Sequence, residues 1–164
     1  MARPRKQLDF RSVAEALTDP SLERASMAGV AHRLRVAKPT LYRMAGSREE
    51  LISISVDAEA ERLLDQIHQG GLPGFFRFAR ESPAGFVLLF GDRYPEARQA
   101  VRRVENRLSI QLKHSAITAA GLLGLAAGVA RRAMEDGALA DPERLGSDLD
   151  TVAKTASQIF DGEA

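Results

Sequence analysis

At 164 residues and a net charge of +1, the chain is long enough to bury a core but short for more than one sizeable domain and a small companion. Aromatic residues make up 5% of it, Trp is absent, and Ala, Leu, Arg and Glu dominate, which disfavours strands and favours helix throughout. The absence of Cys excludes disulfides and thiolate metal sites and points to a reducing cytoplasm, and the opening MARPRKQLD lacks the apolar run of a signal peptide.

Charge is unevenly spread. Residues 1–50 carry a net +4 and residues 51–164 a net −3. From Ala31 to Arg48 there are five basic residues (Arg33, Arg35, Lys38, Arg43, Arg48) and no acidic one. A compact basic segment in a balanced chain suggests a local anionic partner; the alternative is a solvated basic face.

Arg3, Pro4, Arg5 and Lys6 form a basic arm ahead of the first helix. Asp9 caps that helix, which places Phe10, Val13, Ala14 and Leu17 on one face before Asp19-Pro20 ends it. Ser26 caps a second short helix with Met27, Val30, Ala31 and Leu34 inward, and Arg35-Val36-Ala37 is the turn. Lys38-Pro39 opens a third, Pro being tolerated where its missing N–H costs nothing, with Leu41 and Met44 inward. Gly46 stops it. Ser47 and Glu50 then make a capping box for a long fourth helix that runs to about Gln69 and closes at Gly70-Gly71. Turn and cap signals divide the remainder into helices over about 73–81, 83–91, 95–119, 121–136 and 142–160. In the last of these Asp141 caps, Pro142 takes the first position, and Leu145, Leu149, Val152, Ala156 and Ile159 step 4-3-4-3, a narrow seam suited to a partner helix. The uncharged stretch 115–130 is shorter than the roughly 20 residues a membrane span requires, so it is expected to be a buried helix or helix pair, with no membrane partner.

Two short helices joined by a three- or four-residue turn form a helix-turn-helix, whose second helix enters the DNA major groove. Residues Ser26 to Met44 have this layout, although a generic helical hairpin needs the same core. The residues SMAGVAHRLRVAKPTLYRMAGSREEL also resemble the DNA-binding signature of the TetR family of transcriptional regulators, through Ser26, Met27, Val30, Ala31, Val36, Thr40, Leu41, Tyr42, Gly46, Ser47, Glu49, Glu50 and Leu51. The likeness covers residues 10–55. Four departures stand within it: Arg35 where the family has a turn Gly, Ala37 in place of Ser or Thr, Ala45 in place of Phe, and Arg48 in place of Lys. A positive φ at Arg35 would be strained, and Ala37 cannot cap the third helix.

The resemblance implies an all-α protein with a helix-turn-helix domain over 1–50 and a helical ligand-binding and dimerisation domain over 51–164. By the same resemblance Ser26 offers its hydroxyl and backbone N–H to a phosphate, and Lys38 and Tyr42 grip the backbone. Thr40 and Arg43 are the candidates for base edges, Arg48 pins a phosphate, and Arg3 and Arg5 reach the minor groove. The implied partners are double-stranded operator DNA, a second copy of the chain and a small apolar effector that releases a repressor. Dimerisation is assigned to the helix near 121–136 and to the seam Leu145, Leu149, Val152, Ala156 and Ile159.

Phe75, Phe76, Phe78, Phe86 and Phe90 cluster in sequence and would line an effector pocket or, as such groups more often do, fill a core. There is no glycine-rich phosphate loop, no G-x-S-x-G and no metal-ligand spacing, so neither enzymatic activity nor a cofactor is expected. Two alternatives to a DNA-binding regulator remain. One is a TetR-like interaction protein whose DNA binding is weakened by Arg35, Ala37 and Ala45; the other is a small helical enzyme or carrier built on the Phe group.

Overall fold

Asp9 opens the first helix by accepting a hydrogen bond from the Arg11 backbone N–H. The computed structural model describes residues 9–21, 26–112 and 115–161, with 112 and 155–161 described by backbone only. Among these residues there are eight helices and no strand: α1 (Phe10–Thr18), α2 (Met27–Arg33), α3 (Lys38–Ala45), α4 (Arg48–Glu81), α5 (Pro83–Phe90), α6 (Pro95–Leu112), α7 (Ala116–Glu135) and α8 (Pro142–Asp161). The protein is all-α.

The ends of these helices follow local chemistry. The Ser26 hydroxyl accepts from the Gly29 N–H at 3.1 Å to start α2. Ser47 and Glu50 make the expected reciprocal box at α4, with the Ser47 N–H donating to the Glu50 carboxylate at 2.7 Å and the Glu50 N–H to the Ser47 hydroxyl at 3.1 Å. Asp141 accepts from the Arg144 N–H at 3.0 Å as α8 begins on Pro142. Within α4, Gly71 alone leaves helical geometry, at φ 57 and ψ −138. Only Gly visits this region without penalty, so the element is two helices meeting at a kink, as the Gly70-Gly71 pair indicates.

One boundary differs from expectation. The seventh helix starts at Ser115, not at Gly121. The Ser115 hydroxyl accepts from the Thr118 N–H at 3.1 Å and starts α7 there. Gly121 is interior to α7, where a Gly costs about 1 kcal/mol relative to Ala but does not end a helix that tertiary packing holds. With 20 residues and a mean hydropathy of 1.2, α7 is long and apolar enough to cross a membrane. A core helix meets the same criteria, and Ala119, Leu123, Ala126, Ala127, Ala130 and Ala133 of α7 are buried within this chain.

A single apolar cluster runs from Val13 on α1 to Leu149 on α8. The 50/51 division falls in the first turn of α4, and buried residues on both sides of it belong to that cluster. α1 packs on α4 and α5, α4 packs on α5, α6 and α8, and α6 packs on α7. Among the described residues one charged side chain is buried: Glu59 is 0% exposed, with Arg62 at 3.0 Å and the Ser82 hydroxyl at 3.1 Å. A Cβ at Gly85 would stand 2.2 Å from that carboxylate, so glycine is what lets the first turn of α5 close on α4.

Candidate nucleic-acid interface

The α2–α3 pair is built from two short apolar stripes. Met27, Val30 and Ala31 are buried on α2, and Leu41 and Ala45 on α3, with Leu41 fully enclosed. Burying a Leu stabilises by about 1.5–3 kcal/mol, enough to hold a helix of eight residues that has little intrinsic stability. The connection closes by a Schellman motif. The Arg35 N–H donates to the His32 carbonyl at 3.1 Å and the Val36 N–H to the Ala31 carbonyl at 3.0 Å. This places Arg35 at the position that takes a left-handed residue, and its φ is 52, the one positive φ outside Gly among the described residues. α3 starts without a side-chain cap, because Ala37 has no oxygen to offer.

With Leu41 and Ala45 turned inward, the other face of α3 is presented to solvent. Lys38 and Arg43 are exposed, Tyr42 is 44% exposed and Thr40 is half-buried beside them. The Lys38 ammonium lies 5.9 Å from the centre of the Tyr42 ring, so the two form one cationic and aromatic surface. Ser26 is exposed at the head of α2 with its hydroxyl already engaged as the cap. Arg48 is half-buried at the head of α4 and close enough to Tyr94 for its charge to favour the ionised phenol. Arg3 and Arg5 lie outside the described residues. The structure thus brings Lys38 and Tyr42 together, exposes Arg43, half-buries Thr40, and leaves Ser26 and Arg48 at the heads of α2 and α4.

Not all of the basic segment is available to a partner. Arg33 pairs with Asp19 at 2.7 Å and ties the end of α2 to the α1–α2 turn. The Ser21 hydroxyl and N–H, with the Arg33 and Arg93 charges beyond them, hold the Asp19 carboxyl below its ordinary range. The buried Tyr94 hydroxyl donates to the Leu17 carbonyl at 2.8 Å, and burial pushes its pKa up. Nothing in the local sequence around Tyr94 signals this contact, because its partner lies 77 positions away.

Four of the five phenylalanines, Phe75, Phe76, Phe86 and Phe90, pack ring against ring, while Phe78 is buried with the Arg62 guanidinium 6.0 Å from its ring centre. Phe75, Phe76, Phe78 and Phe86 are at most 2% exposed. Phe75 meets Phe76, Phe86 and Phe90 edge-on with centroids 5.5, 6.3 and 5.7 Å apart. Two clefts elsewhere are open to solvent. One, of about 580 Å³, is lined by residues including Asp19, Arg33, Pro83 and Val87; the other, of about 200 Å³, lies between α4 and α6 beneath the Asp57–Arg103 and Glu61–Arg107 ion pairs. Neither is lined by phenylalanine.

On α8, Leu149 is 5% exposed within this chain, Leu145 is partly buried and Val152 is 55% exposed. Gly146 lies against Pro73 of α4, where a Cβ would come within 2.3 Å of backbone. The first half of the seam therefore packs intrachain; the Ala156 and Ile159 side chains lie outside those described. On α7, by contrast, Ile117 (85%), Gly121, Gly124, Leu125 (47%) and Gly128 form an exposed stripe, and a Cβ at any of the three glycines would meet open space. Among the described residues no group of three or more His, Asp or Glu is placed to hold a metal ion. No protein-family model matches the chain, and no curated protein matches it.

Proposed function

We propose that the protein is a TetR-like regulator that binds operator DNA as a homodimer through α2 and α3. The carrying observation is the outer face of α3, where Lys38, Tyr42 and Arg43 are exposed beside Thr40 while Leu41 and Ala45 hold the opposite face in the core. A short helix buried on one side and basic on the other is what major-groove reading requires, with Lys38 and Tyr42 on phosphates and Arg43 and Thr40 on base edges. The second copy is needed because one such helix contacts too few base pairs for a specific site. Its docking face is assigned to α7, whose stripe of Ile117, Gly121, Gly124, Leu125 and Gly128 is exposed among the described residues, together with Val152 on α8.

The test is a gel shift on the DNA upstream of the protein's own gene, together with sequence selection from random duplexes. A two-fold symmetric site with half-sites about 34–36 Å apart, or a multiple, supports the proposal. Binding with no sequence preference at any spacing overturns it.

A second reading is favoured by two specific observations, the positive φ at Arg35 and the uncapped start of α3. Both lower the stability of the reading helix and suit an interaction protein that has kept the fold but binds DNA weakly. Release by a small-molecule effector comes from the family resemblance alone, and the ring contacts of the phenylalanines favour a core role for them over a pocket.

A further inference from the structure

The C-terminal end of α1 is locally unfinished. Its C-cap, Asp19, turns away at φ −59 and ψ 117 and makes no left-handed closure, and the last turn of the helix holds no basic side chain. Such an end leaves carbonyls without intrahelical partners and a negative dipole end without a cation. Both deficits are met from far along the chain, by the turn between α5 and α6. The Tyr94 hydroxyl donates to the Leu17 carbonyl at 2.8 Å, and the Arg93 guanidinium donates to the Asp19 carbonyl at 3.5 Å while lying 5.8 Å from the Tyr94 ring centre. Beyond these carbonyls the Asp19 carboxylate holds Arg33 at 2.7 Å, on the last turn of α2.

We propose that the turn over 91–94 is the joint that fixes the attitude of the α2–α3 unit against the α4–α8 body, with Tyr94 as its positioning residue. The polar contacts are continuous, from Tyr94 and Arg93 through the end of α1 to Arg33 on α2. Packing of α1 on α5 alone is non-directional and permits sliding; a buried hydrogen bond to one carbonyl fixes register and angle. Its bearing on operator spacing rests on the DNA-binding reading, whereas the joint itself does not.

The chain has no Cys, so the exposed pair Ala28→Cys on α2 and Ser147→Cys on α8 takes spin labels at those two sites alone. The full-length chain is diluted into unlabelled protein so that pulsed dipolar spectroscopy reads intrachain distances. Tyr94→Phe keeps the ring and deletes the hydroxyl. It is expected to broaden the distance distribution about twofold while helical content is unchanged. Thr18→Val is the control: it deletes a hydroxyl at the same end of α1, one that bonds the Ala14 carbonyl at 2.8 Å within the helix, and it should leave the distribution as in the wild type. A Tyr94→Phe distribution that superimposes on the wild type overturns the joint, as does equal broadening by Thr18→Val, which would mean that α1 merely frays. On duplexes with graded half-site spacing, Tyr94→Phe should flatten the spacing preference. A wild type that binds no duplex removes the DNA reading and leaves the distance result to decide the joint.

Discussion

Arg35 occupies a backbone position made for glycine. Its left-handed φ costs about 1 kcal/mol for a side chain with a Cβ, and the Schellman hydrogen bonds hold it there. Arg35→Gly should therefore stabilise the chain by about 0.5–1 kcal/mol in urea unfolding, in spite of the added freedom of the unfolded glycine. Ala37→Ser supplies the cap that α3 lacks and should add about 1 kcal/mol. If the DNA-binding reading holds and α3 is limited by its own stability, the double variant also binds operator more tightly; a stabilised double variant with unchanged affinity removes that link. Acid acts on α1 from both ends. Asp9 is lowered chiefly by the Ser12 hydroxyl and Asp19 chiefly by the Ser21 hydroxyl. A carboxyl depressed in the folded state contributes stability that is complete above its ordinary value of 3.8 and is lost as pH falls through the lower folded value. Asp19→Asn should flatten the acid limb of a pH series of melting temperatures below about pH 4; an unaltered limb would show that this carboxylate is not coupled to folding.

At the scale of the element, α3 depends on one side chain for its seat and on others for its contacts. Leu41→Ala should cost about 2–5 kcal/mol, because Leu41 is fully enclosed and little around it can collapse. Lys38→Ala should leave stability nearly unchanged and flatten the salt dependence of DNA binding by about one unit of slope per head, without changing sequence preference. Arg43→Ala should relax preference at one base pair per half-site, at about 1–3 kcal/mol. Helix starts were legible in the sequence wherever a short polar side chain does the capping, as at Asp9, Ser26, Ser47 and Asp141. The start of α7 was misplaced because Gly121 offered a louder signal than Ser115, and a glycine inside a packed helix is tolerated. On α3 the 3.6 period places Leu41 inward correctly but pairs it with Met44, whereas the structure buries Ala45 and leaves Met44 half-buried. Whether the phenylalanines lined a pocket or filled a core did not follow from that period, since helical spacing is the same in both cases and only ring geometry separates them.

For the whole molecule, the contacts that sequence could not give are the long-range polar ones. Tyr94 to Leu17 and Arg77 to Glu143 join segments that no periodicity connects. The same limit applies to the seam on α8: its 4-3-4-3 step was legible, but its partner was not, and the structure gives Leu149 to the chain's own core. Leu149→Glu would therefore unfold the protein whatever its assembly. The exposed stripe of α7 offers a cleaner test. Gly124→Glu meets open space in one copy and should stabilise the helix by about 0.5 kcal/mol, yet at a helix–helix interface it buries a charge. Sedimentation should show a wild-type dimer and a Gly124→Glu monomer that melts no lower. A variant that remains a dimer places the interface elsewhere.

The kink at Gly71 divides α4 into unequal arms, and this has a mechanical consequence. At 1.5 Å per residue the arm from Arg48 to Gly70 is a rod of about 34 Å, with α3 at its far end. A tilt of about 5° at its foot displaces the tip by about 3 Å, close to the rise of one base-pair step in B-DNA. The pivot is a single glycine, but the backbone is close-packed across it, since a Cβ at Gly74 would stand 1.9 Å from the Gln66 carbonyl. The swing is restrained along the rod, by the packing of α1, α3, α5 and α6 on α4 and by the Asp57–Arg103 and Glu61–Arg107 ion pairs. In such a lever the accuracy of the tip is set by its guides and the gain by its length. Lengthening α4 by a full turn between Arg48 and Gly70 would raise that gain by about a sixth without altering any residue that faces a partner.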